Sequence, residues 1–304
     1  MRSKVFRAYN VWPDFPSISI SGEACALNCR HCGRMYLHDM VPADTPDILV
    51  KTCEQLAAEG ARGVLLSGGC DRQGRMLNLD RMLPAVRKIH DMGLIIKLHT
   101  GFVDRRTAGK IAEAGVDIAS MEMVGDKSTA KRIFGLDATA EDYLDTFVNL
   151  WDAGIPHICP HICVGLHDGK LKGEMTALNL LKTRIKPSTI AIIVLRPTKG
   201  TKLANAKPPK GEDVEAVTGH ARKLFPKTKI ILGALRPRGS EIKGGMEQRL
   251  DIEIGALDGG IDGAEVPSKE MLAEAIARGF NIKRIQAYGV LPLEYEDRVR
   301  TDQT

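Results

Sequence analysis

At 304 residues with 43% hydrophobic side chains, the chain is long enough for one large α/β barrel or two small domains and can bury a substantial core. The formal charge of +5 is modest, no apolar run approaches the length that spans a bilayer, and Met1-Arg2-Ser3-Lys4-Val5-Phe6-Arg7 lacks the apolar stretch of a secretory signal. A cytoplasmic protein without a membrane partner is expected, and nucleic acid is disfavoured because the densest basic run, Arg196, Lys199, Lys202, Lys207 and Lys210, holds no aromatic residue.

Residues 1–16 read as an irregular N-terminal extension whose Phe6, Tyr9, Trp12 and Phe15 cap one end of a core. Ser17-Ile18-Ser19-Ile20-Ser21 then alternates as a strand does, and Gly22 and Gly33 bracket the loop Cys25-Ala26-Leu27-Asn28-Cys29-Arg30-His31-Cys32-Gly33. A four-iron cluster normally takes four thiolates; this loop offers three, so one iron would stay open to a ligand that is not protein. A structural zinc site completed by His31 or His38 and three unconnected buried thiols are the plainer readings of the same loop. Seven cysteines, three of them in one loop, fit a reducing compartment better than a disulfide framework.

Thr45 is placed to cap a helix with Pro46 in its first turn, running to about Gly60. From there strands are expected at Gly63–Ser67, Leu94–Leu98, Asp117–Met123, Pro156–Val164, Thr189–Leu195, Lys229–Gly233 and Asp251–Ala256. Helices are expected near 78–92, 104–114, 139–153, 174–186, 211–224, 241–249 and 268–278, the last opened by Ser268. With the strand before the cysteines this makes eight βα units, hence an α/β protein with a full or nearly full (β/α)8 TIM-type barrel. One domain is expected over 1–304, with an N-terminal extension (1–16) and a C-terminal tail (280–304). Gly255, Gly259, Gly260 and Gly263 interrupt the eighth unit and could shift its strand to Gly260–Val266; a six-stranded partial barrel is the alternative.

Barrel sites lie at the C-terminal ends of the strands, so strand-end residues carry the chemistry. Ser67-Gly68-Gly69-Cys70 ends the second strand, where paired glycines let backbone groups approach a ligand; Asp71 follows. Lys97 and His99 end the third, and Glu122 and Asp126 follow the fourth, acidic groups suited to hydroxyls. Along Pro156-His157-Ile158-Cys159-Pro160-His161-Ile162-Cys163-Val164-Gly165, alternation sends Cys159, His161 and Cys163 to one side, with Pro160 as a possible bend. After the seventh strand stand Arg236 and Arg238, each also suited to binding a carboxylate. Cys53 reads as a core residue.

The cysteine loop resembles the C-x3-C-x-φ-C signature of the radical S-adenosylmethionine (SAM) enzymes, with His31 at the usually aromatic position. The resemblance implies a [4Fe–4S] cluster on Cys25, Cys29 and Cys32 whose open iron chelates the amino and carboxylate groups of SAM. It also implies cofactor contacts from His31, Ser67, Gly68, Gly69, Lys97, His99, Glu122, Asp126 and Gly165, with Cys70 standing where relatives carry a glutamate. Together with Ser-Gly-Gly-Cys and Cys-Pro-His-Ile-Cys-Val-Gly-Leu-His-Asp-Gly, the loop is similar to the biotin-synthase-like family, in particular the second component of the two-protein lipoyl synthase.

That likeness implies sulfur insertion at C6 or C8 of a protein-bound octanoyl chain. The donor would be a second [4Fe–4S] cluster on Cys70, Cys159 and Cys163, with Arg236 or a small ligand as fourth. Implied partners are the other radical SAM component, an octanoylated lipoyl carrier domain docking on 196–210, and a low-potential electron donor. Two rivals remain: a radical SAM enzyme without sulfur insertion, of mutase or hydrogenase-cofactor maturase type, and a structural zinc-binding barrel.

Overall fold

In the computed structural model, which describes residues 4–239 and 245–303, the strands form one twelve-stranded sheet. In chain order these are β1 (Lys4–Tyr9), β2 (Ser17–Ser19), β3 (Val41–Pro42), β4 (Gly63–Ser67), β5 (Ile95–His99) and β6 (Ile118–Glu122). Then follow β7 (His157–Val164), β8 (Thr189–Val194), β9 (Lys229–Leu232), β10 (Gly263–Glu265), β11 (Phe280–Ile285) and β12 (Thr301–Gln303). Their order across the sheet is β12-β11-β1-β10-β9-β8-β7-β6-β5-β4-β2-β3. Every pairing is parallel except β11 with β12.

Helices α1 (Pro46–Ala58), α2 (Leu79–Asp91), α3 (Arg105–Glu113), α4 (Lys127–Thr129), α5 (Ala140–Asp152), α6 (Glu174–Arg184), α7 (Gly211–Leu224), α8 (Gly245–Asp258) and α9 (Lys269–Ala277) fill the crossovers. Parallel neighbours need such crossovers, and the helices cover the outer face. β7 and β8 are buried along their whole length, as strands covered on both faces must be.

Eight βα units are present, β2 with α1 and then β4 to β10 each with a following helix. The sheet curls, because side chains from β2 and β4 through β10 line one common cavity. Among the described residues β2 and β10 are not paired; β1 and β11 extend the sheet beyond β10 instead. Tyr288, from the segment after β11, reaches into the cavity, its hydroxyl 2.5 Å from Ser17 Oγ and its ring edge-on to Phe15.

Three expectations change. The stretch expected to be irregular holds β1, which pairs with β10 and β11 over its length. Asp251–Ala256 is helix within α8, not strand, and the eighth strand is β10, inside the alternative span Gly260–Val266. Packing decides this: a Cβ on Gly255 would lie 2.1 Å from the Gly211 carbonyl oxygen, so bare glycine lets α8 lie against the start of α7. Of the helix expected at 241–249, residues 241–244 lie outside the described residues.

The tail is ordered as β11, a 3₁₀ segment at Leu293–Arg298 and β12. It covers the N-terminal ends of the strands: Tyr295 donates to Asp117 (3.0 Å), Lys229 donates to the Leu291 carbonyl, and Glu296 accepts from Arg7 and Lys283 at 2.5 Å each. The C-terminal segment thus closes the floor of the barrel, while the cavity lies at the opposite end.

Candidate active site

The cysteine loop is built against the end of β4. Ser21 Oγ accepts from the Gly69 amide (2.7 Å) and donates to the Ala24 carbonyl (3.0 Å), while the Ala26 amide donates to the Cys70 carbonyl (2.7 Å). A Cβ on Gly69 would lie 2.0 Å from the Ala24 oxygen, so only glycine permits this approach. On its outer side the loop is held by the Arg30 amide to the Ile133 carbonyl (2.8 Å) and the Leu203 amide to the Arg30 carbonyl (3.1 Å).

Cys25, Cys29 and Cys32 all face a cavity of about 450 Å³ at the C-terminal ends of the strands, a volume in the range of small-molecule sites. Burial raises the pKa of Cys29 and Cys32, and neighbouring thiols raise Cys29 further. Cys29 and Cys32 so placed become thiolates only against a concentrated positive charge. A cluster that takes three thiolates and leaves one iron to the cavity fits this donor set.

His31 packs edge-on to Phe134 at 5.2 Å, and its buried Nδ1 has no hydrogen-bond partner. Deeper in, Glu122 accepts from His99 Nε2 at 2.9 Å. Burial alone would raise the Glu122 carboxyl, but His99 and then His161 outweigh it and hold it well below the usual carboxylate range. His161 sits 5.3 Å from the His99 ring, is held neutral by burial, and leaves Nε2 without a partner. Lys97 Nζ lies 4.5 Å from the centre of the Tyr288 ring. Leu65, Met121, Ala191, Ile193, Ile231 and Val290 add apolar wall, beside the polar Ser17, Arg34, Asp39 and Glu265.

Of the residues singled out in the sequence, Cys25, Cys29, His31, Cys32, Ser67, Gly68, Gly69, Cys70, Lys97, His99 and Glu122 line this one cavity. Asp126 does not; it caps α4, accepting from Thr129 N (2.8 Å) and Ser128 Oγ (2.6 Å). Asp71 closes a turn by accepting from the amides of Gln73 and Arg75, 2.9 Å each. Gly165, at φ +73°, donates its amide to Glu174 (2.9 Å) and is absent from the cavity wall. Cys53 is buried in the core as expected.

The four residues expected to hold a second cluster do not meet. Cys70 lies beside the cysteine loop, its amide 3.4 Å from Cys25 Sγ. Cys159 is fully buried lower in the barrel with Ile95, Ile118 and Ile231. Cys163 lines a separate small pocket with Glu174. β7 runs unbroken through Pro160 and pairs there with Met121, so Cys159 and Cys163 stay about 13 Å apart at the usual strand rise.

Arg236 is 0% exposed and paired to Glu253 at 2.6 Å, with carbonyl acceptors at Gly233 (2.8 Å), Glu265 (2.8 Å) and Val266 (3.0 Å). A second cluster on these residues therefore has no common site.

Sequence reasoning left out Tyr288, Phe134, Tyr143 and Glu265, which also line the cavity. Tyr288 comes from the tail and Glu265 from the misassigned eighth strand, so neither carried a local signal. His161 was legible from alternation along β7, although its place beside His99 and Glu122 was not.

Comparison with known proteins agrees with this geometry. Residues 19–173 match the Radical SAM superfamily. A biotin synthase from Leptothrix cholodnii is 25% identical over 231 residues, 74% of this chain and 65% of that protein. One from Bordetella avium is 25% identical over 249 residues, 79% of this chain and 73% of that protein. This chain thus spans about two thirds of the length of the first of these.

Among solved structures, HydG, a maturase of the [FeFe]-hydrogenase, superposes with a TM-score of 0.62 at 17% identity, covering 86% of this chain and 57% of that one. Methylornithine synthase (PylB) gives 0.57 at 17% identity, covering 86% and 72%. At these identities the two structures support the fold alone.

Proposed function

This chain belongs to the radical SAM superfamily, and on that premise we propose that it generates a 5′-deoxyadenosyl radical to attack an unactivated C–H bond of an apolar substrate. The observation that carries the reading is the convergence of Cys25, Cys29 and Cys32 on one cavity that Leu65, Met121, Ile193 and Ile231 also line. Those three thiolates would hold a [4Fe–4S] cluster, which when bound and reduced supplies the electron that splits SAM into methionine and the radical.

The chain's own residues do the rest. Gly68 and Gly69 would let backbone approach the cofactor, the His31 ring would offer a flat face to the adenine, and Lys97 would offer charge and hydrogen bonds to the cofactor's polar groups. Leu65, Ile193 and Ile231 keep water from the radical and can accommodate an alkyl chain.

The finer reading we propose is sulfur insertion at C6 or C8 of an octanoyl chain borne by a lipoyl carrier domain. Two observations support it: the biotin synthase relatives, and the exposed Lys199, Lys202 and Lys207 on a segment whose Leu203 bonds to the cysteine loop. Such a one-sign rim would steer an acidic carrier domain. A second radical SAM component and a low-potential electron donor belong to the same proposal. Any sulfur donor must be held by residues other than Cys70, Cys159, Cys163 and Arg236 acting together. The dispersal of those thiols favours the second reading, radical chemistry without sulfur insertion.

Iron and sulfide analysis of anaerobically purified protein, with an assay on octanoylated carrier domain, separates these readings. About eight irons and thiolated product support sulfur insertion, about four irons with SAM cleavage but no thiolation support the second reading, and zinc alone ends both.

A further inference from the structure

His99, Glu122 and His161 stand at the C-terminal ends of three adjacent strands, β5, β6 and β7. Glu122 is directly paired with His161 across β6 and β7, and His99 with Ser120 across β5 and β6, so the three side chains form one layer facing the cavity. One ligand atom from each lies within 4.8 Å of the other two, and among the described residues no other group of three His, Cys, Asp or Glu side chains meets that condition. We infer that these residues form a binding site, separate from the cysteine loop, for one divalent first-row transition metal ion.

Geometry supports this first. Two ligands at right angles, each about 2.1 Å from a metal, are about 3 Å apart. His99 Nε2 and Glu122 Oε2 are 2.9 Å apart. They are close enough to share an ion with little movement.

The second support is an unmet need. His161 is 9% exposed and its Nε2 is buried with no partner. A buried polar atom left unpaired costs about 1–3 kcal/mol, and here it borders a cavity with room for a ligand. Glu122 has no arginine or lysine partner in any ion pair found among the described residues; its partner is His99.

Chemistry then selects the ion. Two imidazoles with one carboxylate suit Fe²⁺, Co²⁺ or Zn²⁺, whereas Mg²⁺ and Ca²⁺ prefer oxygen donors throughout. Such a set leaves coordination positions open, and here they face the space between the apolar wall and the cysteine loop. The inference rests on these three side chains and stands whether or not sulfur is inserted.

The test uses the full chain carrying Cys25→Ala, Cys29→Ala and Cys32→Ala, so that the loop takes up no metal. Anaerobic titration with Co²⁺ should give one bound equivalent, with weak visible bands of nitrogen and oxygen ligation, displaced by Zn²⁺. Adding His161→Ala or Glu122→Gln should weaken binding at least about tenfold, on the scale of changes at metal sites.

Circular dichroism melts establish that each variant is folded, and His161→Gln and His99→Asn carry the comparison if either variant is not. In the wild-type holoenzyme, His161→Ala should remove one metal equivalent while cluster iron and sulfide stay. No Co²⁺ uptake, a strong thiolate charge-transfer band, or affinity unchanged by both substitutions overturns the inference.

Discussion

Two buried polar clusters stand beyond the C-terminal ends of strands in this barrel, and they are built oppositely. In one, Arg236 spends its guanidinium on Glu253 and three carbonyls, while Glu253 also accepts from Arg249 (3.0 Å) and Ser268. In the other, His99 and Glu122 have each other, but His161 Nε2 and the nearby His31 Nδ1 have nothing; Arg236 Nε also lacks a partner, but the other two guanidinium nitrogens carry all four bonds of its cluster. A cluster whose charges are matched internally holds loops together; one with open atoms beside a cavity is shaped for something that arrives later. Residue type does not distinguish them. Arg236 looks as much like a ligand in the sequence as His99 does, and only the partners reveal the difference.

The largest effect expected lies on the open side. Cys29→Ser removes one of three thiolates, and 5′-deoxyadenosine formation should fall by more than the ~10–100-fold that loss of a supporting partner costs at metal sites. The melting temperature of the metal-free protein should hardly move, because among the described residues no hydrogen bond depends on that sulfur. A large loss of stability with activity retained would reverse the contrast.

On the closed side the sign is opposite. Arg236→Met leaves Glu253 charged in a fully buried position and should cost about 3–5 kcal/mol in chemical denaturation. Iron per folded chain should be unchanged. Loss of iron with stability intact would make Arg236 a cluster ligand after all.

How far each cluster was legible follows from how local its partners are. Cys25, Cys29 and Cys32 sit in one loop, and caps such as Thr45, which accepts from Ile48 N, and Ser268, which accepts from Met271 N, fall within one turn. Those features were readable, as were the alternating strands and helices. Glu253 was not recognised as the partner of Arg236 because Asp251–Ala256 alternates like a strand, whereas it lies within α8, whose Gly255 packs against Gly211. β1 and the strands β11 and β12 within the tail were missed for a related reason: Lys4 pairs with Phe280, and pairings so distant in sequence leave no local pattern.

A smaller effect separates the histidines of the open cluster from Glu253 of the matched one along the pH axis. Burial is the main cause lowering His31 and His161 below the ordinary 6.5. The unfolded chain therefore takes up protons first, and stability should decline as pH falls below about 6.5. For Glu253, burial would raise the carboxyl, but Arg236, Ser268 and Arg249 outweigh it and hold it below the ordinary 4.5. Its contribution is fully present above that value and is lost as pH falls through the depressed folded-state pKa.

Denaturation midpoints of the metal-free protein should thus fall in two stages. His161→Gln should flatten part of the upper stage, with His31 and His157, also lowered by burial, supplying the remainder. Glu253→Gln should flatten part of the lower stage, with Glu122 and Glu296, also held below 4.5, supplying the remainder, and leave the upper one in place. If Glu253→Gln instead flattened the upper stage, the matched cluster and the open one would be titrating as a single network, and the distinction between them would fail.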